Sequence, residues 1–473
     1  MLEGQEIREF KLSDCFHNKD YRIDTDYYIK TPQKNGNLQY KEIGECLFYS
    51  QYGISIEMNE ENKGYPIYRM NEIHDMLCDL NVDKYADIEE DVFQSFQLKD
   101  GDVLFNRTNS YDFVGRTAIY YDNDGVNRTF ASYLVKLKPN PNIILPEYLT
   151  TYLNTKQGIQ DIKRHARQSI NQTNVNPEEV KEMEIPILSM SFQEKIKNNL
   201  VLANKKRCQS QVLYSDTQRL LLDNLYLSDW HPSNNQVNVK SLNESFLSCG
   251  RLDAEHYQMK YDELEAMIKT VPYKTIAEIQ LFNARGVQPD YVEEGCISVV
   301  NSKHILEDGL DYDNFERTTE AFLLSQKRAQ IGYGDILIYT TGANIGRTQA
   351  YLKHNHALAS NHVNILRVKG VNPIYLALVL NSPIGRLQTE KLCTGSAQVE
   401  IYPNDIEKFV VPILDETIQE TIASKVQESF AMKTESKRLL NVAKEAVEIA
   451  ISDSEEKAQQ YIIKNENGES LYD

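Results

Sequence analysis

The chain has no apolar run long enough to cross a membrane. Its longest, Ile374–Leu380, falls far short of the roughly 20 residues a spanning helix needs. Its first residues, Met1-Leu-Glu-Gly-Gln-Glu6, lack the basic and apolar stretches of an export signal. Cysteine is sparse and unpaired in pattern: seven residues, an odd number, with no Cys-x-x-Cys. That argues against a disulfide frame or a structural zinc, and for free thiols in a reducing cytoplasm. Positive charge is also short. Lys and Arg number 51 against 69 Asp and Glu, for a net charge of −18. A protein that binds nucleic acid by bulk electrostatics is excluded, because such affinity comes from neutralising phosphates. Any DNA contact must rest on basic residues gathered locally.

Catalytic signatures are missing as well. An adenine methyltransferase needs Asn/Asp-Pro-Pro-aromatic, but Asn176-Pro177 and Asn372-Pro373 lack the second proline and the aromatic. A nuclease of the Pro-Asp, acidic-x-Lys type is not indicated, since Pro289-Asp290 is followed by Glu293-Glu294-Gly295 without a lysine. Gly342-Ala-Asn-Ile-Gly346-Arg-Thr348 is one residue short of a phosphate loop and has Arg in place of Lys. His354, His356 and His362 have no carboxylate or cysteine spaced to complete a metal site. No catalytic, metal or cofactor residue is assigned.

What is present is a message written twice. Arg22-Ile-Asp-Thr-Asp-Tyr-Tyr28 returns as Arg251-Leu-Asp-Ala-Glu-His-Tyr257, and Gly101-Asp-Val-Leu-Phe105 as Gly334-Asp-Ile-Leu-Ile338. Gly115-Arg-Thr117 returns as Gly346-Arg-Thr348. Tyr148-Leu149, Leu153-Asn154 and Gly158 return as Tyr375-Leu376, Leu380-Asn381 and Gly385. Ile185-Pro-Ile-Leu188 returns as Val411-Pro-Ile-Leu414, and Phe192-Gln-Glu194 as Ile418-Gln-Glu420. The order is kept throughout. A period this long is no solenoid repeat; it implies two homologous domains acting on something with two ends.

Each copy begins with a mixed part. Short β-branched and aromatic runs (Asp102–Phe105, Thr117–Tyr121, Ser132–Leu137, Val363–Val368) read as strands between Gly, Asn and Asp clusters. Helices follow, opened by Pro146 and Pro373, where a missing N–H is harmless. Each copy ends in a stretch free of Pro and Gly with apolar residues at helical spacing. These are Ile196, Leu200, Ala203, Leu213, Leu220, Leu225 in one and Ile418, Ile422, Val426, Phe430, Leu439, Ala443, Val447, Ile451 in the other. A helix of roughly 36 residues is about 54 Å long, too long for one small domain to cover. The expectation is an α+β fold: domains over 1–190 and 229–414, long helices over 191–228 and 415–464, and a polar tail over 465–473. The two helices are expected to pair as an antiparallel coiled coil with pseudo-twofold symmetry.

These doubled motifs, joined to two long helices, resemble the specificity subunit of type I restriction–modification systems over nearly the whole chain. The resemblance implies two target-recognition domains, each reading one half of a split double-stranded DNA target. The helices would set the unread spacer. Two modification (methyltransferase) subunits would dock and bring S-adenosylmethionine, and restriction or translocase subunits would be further partners. The chain itself would perform no chemistry.

Polar loops are the expected readers. Asn106, Arg107 and Asn109, with Thr341 and Asn344 in the second copy, lie between the Gly-Asp strand and the Gly-Arg-Thr turn that carries Arg116 and Arg347. Arg pairs bidentately with guanine, and Asn or Gln with adenine; the alternative is a solvated turn held by Asn and Thr. Lys163-Arg-His-Ala-Arg-Gln-Ser-Ile-Asn-Gln-Thr173 is basic in an acidic protein. It assigns phosphate contact to Lys163 and Arg164, and base contact to Arg167, Gln168 and Asn171. Its counterpart, Lys391–Val399 with Gln398, is less basic, so an asymmetric target is expected. Lys303 is a further candidate. The acidic surplus, including Asp83–Asp91, Asp453, Glu455 and Glu456, would face partners or solvent. The rival reading is a duplicated coiled-coil scaffold that holds two proteins and reads no DNA.

Overall fold

The computed structural model describes residues 9, 11–16, 22–29, 31–170, 172–235, 237–395 and 398–466. Packing divides the chain into two units, residues 1–208 with 432–473, and residues 209–431. The division falls inside both long helices, Met190–Asn224 and Glu416–Ser452, rather than at their ends. Each unit therefore owns half of each helix. The second long helix does not run to 464 as expected. It stops at Ser452, and Ser454 caps a separate helix, Glu455–Glu466, by accepting the Lys457 N–H. Residues 465 and 466 are thus helical, and 467–473 of the expected tail lie outside the described residues.

In the first unit the main sheet runs Leu47–Tyr52, Leu134–Pro139, Asp102–Asn106, Thr117–Tyr120, Leu77–Cys78, Ile73–His74. The second unit repeats its first four strands as Gln280–Arg285, Val363–Val368, Ile336–Tyr339, Thr348–Ala350, with the same antiparallel pairings. The Gly-Asp strand is buried on both faces in each. Val103 and Phe105 join the core that includes Tyr148 and Leu149, while Leu104 joins one with Tyr120 and Phe130. Ile336 and Ile338 likewise part from Leu337. Side chains alternate across a strand, so a strand with two covered faces must be apolar throughout. A two-stranded ribbon closes each unit: Tyr40–Glu42 with Glu184–Pro186, and Tyr273–Thr275 with Val410–Pro412.

The repeated motif residues prove to be hydrogen-bonding joints. Tyr148 donates its hydroxyl to the Pro186 carbonyl at 2.6 Å, and Tyr375 to that of Pro412 at 3.0 Å. Gln193 accepts the Leu145 N–H and donates to the Leu188 carbonyl; Gln419 does the same with Asn372 and Leu414. Both glutamines are buried, and they lock the start of a long helix to the proline-opened helix. An unmade bond at such a site costs about 1–3 kcal/mol. Asn154 and Asn381 each donate to the carbonyl of the threonine in Gly-Arg-Thr. In the opening motif Arg22 pairs with Asp24, and Tyr28 donates to the Arg22 carbonyl; Arg251, Asp253 and Tyr257 repeat this buckle. Gly115 and Gly346 sit at φ 89° and 88°, where a Cβ would lie 2.3 Å from Ile162 and 2.9 Å from Thr389. Only glycine fits both the left-handed backbone and the space.

Within the first unit, the N-terminal half of the first long helix packs on the C-terminal half of the second. Ile196, Leu200 and Ala203 share a core with Leu439, Ala443 and Val447, and the Ser436 hydroxyl donates to the Ala203 carbonyl. Within the second unit the opposite halves meet. Buried Ser210 and Ser429 each donate to the other's carbonyl, and Tyr214 stacks on Phe430 at 6.0 Å. That is the pairing of an antiparallel helix pair. Small serines at the seam let the backbones approach closely.

Candidate nucleic-acid interface

In the first unit the Gly-Asp strand ends at Asn106, and the chain passes through Arg107–Arg116, which holds the short strand Thr108–Asn109, before the main sheet resumes at Thr117. A hairpin of Arg167–Gln168 and Thr173–Asn174 adds to this turn. Thr173 pairs with Asn109 and Asn174 with Thr108, while the Thr108 hydroxyl donates to the Asn174 amide oxygen at 2.7 Å. Two segments that are far apart in sequence thus form one surface. The second unit builds the same three-strand arrangement in brief, with Thr341 and Thr394 both bridging Glu400.

The surface divides its residues into anchors and exposed groups. Asn106 is fully buried and holds the turn by donating to the Phe113 carbonyl, which corrects its expected role as a base reader. Lys163 is turned inward. Its ammonium donates to the carbonyls of Tyr111 and Val114 and lies 4.7 Å from the Tyr111 ring centroid. Arg164 donates to the Tyr27 carbonyl, pairs with Asp161 and lies over the Tyr27 ring at 4.2 Å. The two expected phosphate contacts are therefore braces: one holds the Arg107–Arg116 turn, the other holds the opening motif. Arg107 donates to the Ser132 carbonyl and covers Tyr52 at 5.1 Å. Arg116 covers Phe113 at 4.1 Å and meets His74. Arg167 is exposed and bonds Glu179 at 2.8 Å; Gln168 is exposed on the neighbouring position of the same strand. Asn109 is half-buried and accepts the Ser110 N–H. Asn171 lies outside the described residues.

The second unit offers less free cation. Thr341 is buried in its bridge, so it too is framework rather than a reader. Arg347 faces Glu307 at 3.7 Å, and Lys303 pairs with Glu316 on the smaller sheet, away from the turn. Asn344 and Gln398 are exposed. Sequence reasoning missed Arg285, which donates to the Ile401 carbonyl and covers Tyr402 at 4.4 Å. It also missed Tyr52 and half-exposed Tyr133 beside Arg107. The available signal was positional: Tyr52-Gly53 and Arg285-Gly286 end matching strands, and both glycines sit against a neighbouring alanine carbonyl.

Electrostatics separate the brace from the exposed edge. Burial holds the His165 imidazole below its ordinary pKa and raises the Asp161 carboxyl; each opposes the other's shift. Behind the turn, burial lowers the Lys136 ammonium although Asp102 favours its charged form. The exposed edge presents a guanidinium, amides and aromatic rings. These can bind base edges and phosphates but offer no activated nucleophile. Gly342–Thr348 is followed by a strand, so no helix N-terminus lies ready for a phosphate. His354 stacks on Tyr333, and among the described residues no three His, Cys, Asp or Glu side chains gather for a metal. Part of the acidic surplus bonds backbone of its own unit: Glu455 accepts the Ser189 N–H, and Glu448 that of Lys156. No described helix is long and apolar enough to cross a membrane.

No family model matches the chain. It is 30% identical over 162 residues to the type I restriction enzyme MjaX specificity subunit of Methanocaldococcus jannaschii, covering 33% of this chain and 37% of that protein. It is 22% identical over 166 residues to the type I restriction enzyme EcoKI specificity subunit of Escherichia coli, covering 35% and 34%. The chain spans about a third of the length of the curated relatives it matches. Among solved structures, the S subunit of a type I restriction–modification system from M. genitalium aligns with a TM-score of 0.41 at 16% identity, covering 88% of this chain and 97% of that one. The HsdS subunit from Thermoanaerobacter tengcongensis aligns with a TM-score of 0.28 at 14% identity, covering 89% and 98%.

Proposed function

We propose that this chain is the sequence-specificity subunit of a type I restriction–modification complex. Each unit reads one half of a bipartite, asymmetric DNA target. The observation that carries the reading is the contrast between the copies. Their joints are matched bond for bond, whereas the exposed side chains on the shared turn and hairpin differ. The first unit shows Arg167 and Gln168; the second shows Asn344 and Gln398. A duplicated frame carrying different polar edges suits two different half-sites. The long helices act as the spacer, and their outer faces receive methyltransferase subunits. Those partners bring S-adenosylmethionine and the chemistry; restriction or translocase subunits complete the assembly. This chain contributes no catalytic group. The acidic balance fits a complex in which partners supply much of the phosphate-facing charge.

Replacing Gln168 with Ala is expected to relax recognition at one position of one half-site. A lost bidentate base contact weakens discrimination there by about 1–3 kcal/mol. Methylation mapping in cells carrying the partner genes reads this directly. Equal loss at both half-sites, from a folded variant, would overturn the division of labour. The scaffold reading draws on one observation: Arg347 and Lys303 of the second unit each pair with a glutamate. It requires a methylation pattern indifferent to this chain.

A further inference from the structure

The hairpin of the first unit ends in a residue that turn chemistry does not favour. Ser169 donates its N–H to the Gln172 carbonyl at 2.8 Å, which puts Ile170 in the tight connection between the strands. Such connections favour Gly, Asn and Asp. Ile170 is instead β-branched and fully exposed, at 101% of its reference surface. No other residue of the hairpin is apolar; Arg167, Gln168, Ser169, Gln172, Thr173 and Asn174 surround it. Its strands are pinned to the frame through Thr108 and through the Val175 N–H on the Arg107 carbonyl. An isolated exposed apolar residue is ordinary on a surface. One held at the tip of a pinned polar ribbon, where the turn would favour a polar residue, calls for a contact. The equivalent turn of the second unit begins differently, with Gly395 at φ 115°.

We propose that Ile170 contacts the C5-methyl group of a thymine in the major groove, and so specifies one base pair of the first half-site. This rests on the DNA-recognition reading above. A two-stranded ribbon fits the major groove, and thymine is the base that presents a methyl there. Arg167 and Gln168, on the adjoining strand, would address the neighbouring base edges.

The test uses the full chain and duplexes carrying the target found by methylation mapping, with thymines replaced one at a time by deoxyuridine, which lacks the methyl. Fluorescence anisotropy should show affinity falling about fourfold at one thymine of the first half-site, the loss of one methyl-sized apolar contact. Ile170→Ala should bind the normal target with a similar loss and be indifferent to deoxyuridine at that position. Ile170 is fully exposed, so the variant has no packing reason to misfold. If both proteins respond equally to deoxyuridine, the assignment to Ile170 is wrong. If Ile170→Ala weakens binding while no deoxyuridine does, Ile170 is a wedge between stacked bases and the methyl contact is refuted. If the wild-type chain shows no bipartite target at all, the underlying DNA reading fails, and the inference with it.

Discussion

Replacing Asp102 with Ala is expected to cost the first unit about 3–5 kcal/mol, the range for breaking a buried ion pair by removing one partner. Asp102 is 2% exposed. It accepts the Lys99 N–H at 2.9 Å and pairs with Lys138 at 2.6 Å and Lys136 at 3.9 Å. Lys136 is itself buried, with its ammonium donating to the Gln97 carbonyl. Alanine leaves that charge without a counterion, next to Phe130, and leaves a backbone donor unmet. Domain stabilities run about 5–15 kcal/mol, so the loss removes a large share. The matched Asp335→Ala should cost less, because its bidentate partner Arg367 is 38% exposed and water can replace the lost carboxylate. Denaturant unfolding of the full chain compares the two. Equal small effects would show that the Gly-Asp motif is no anchor.

Removing seven residues from each long helix, at paired positions near Ser210 and Ser429, is expected to change the spacing between half-sites without changing the bases read. Seven helical residues rise about 10 Å, close to three base pairs at about 3.4 Å each. A deletion of seven keeps the seam on its partner face, because the pattern repeats near every seven residues. Other lengths should rotate Ser210 and Tyr214 off their partners and destabilise the pair. Mapping the methylated motif of the shortened protein reads both outcomes. An unchanged spacer in a folded variant would refute the helices' role as a ruler.

The frame was legible because its joints are repeated. Pro146 and Pro373 open helices as expected, the Gly-Asp runs are strands, and the first long helix lies within a few residues of its expected range, whereas the second stops at Ser452. Part of the helix seam is polar: Ser210, Ser429 and Ser436 are buried there, and an apolar count skips them. The site was harder to read. Sequence shows that Lys163 and Arg164 are cationic, but not that the carbonyls of Tyr111, Val114 and Tyr27 wait for them. A buried amide such as Asn106 has the same letter as an exposed one. Charge in a loop therefore does not tell a residue on the exposed edge from one that braces it. The hairpin that joins Arg167 and Gln168 to Thr108 and Asn109 depends on a pairing between distant segments, which local pattern does not reveal.

The central claim is that this chain alone dictates which DNA sequence its complex modifies, one half per unit. Comparing the genome-wide methylation map of a strain with and without this gene, while the partner methyltransferase remains expressed and active, tests it most directly. One bipartite, asymmetric methylated motif should vanish on deletion and return on complementation. A map that stays the same would contradict the account and leave the duplicated chain as a scaffold.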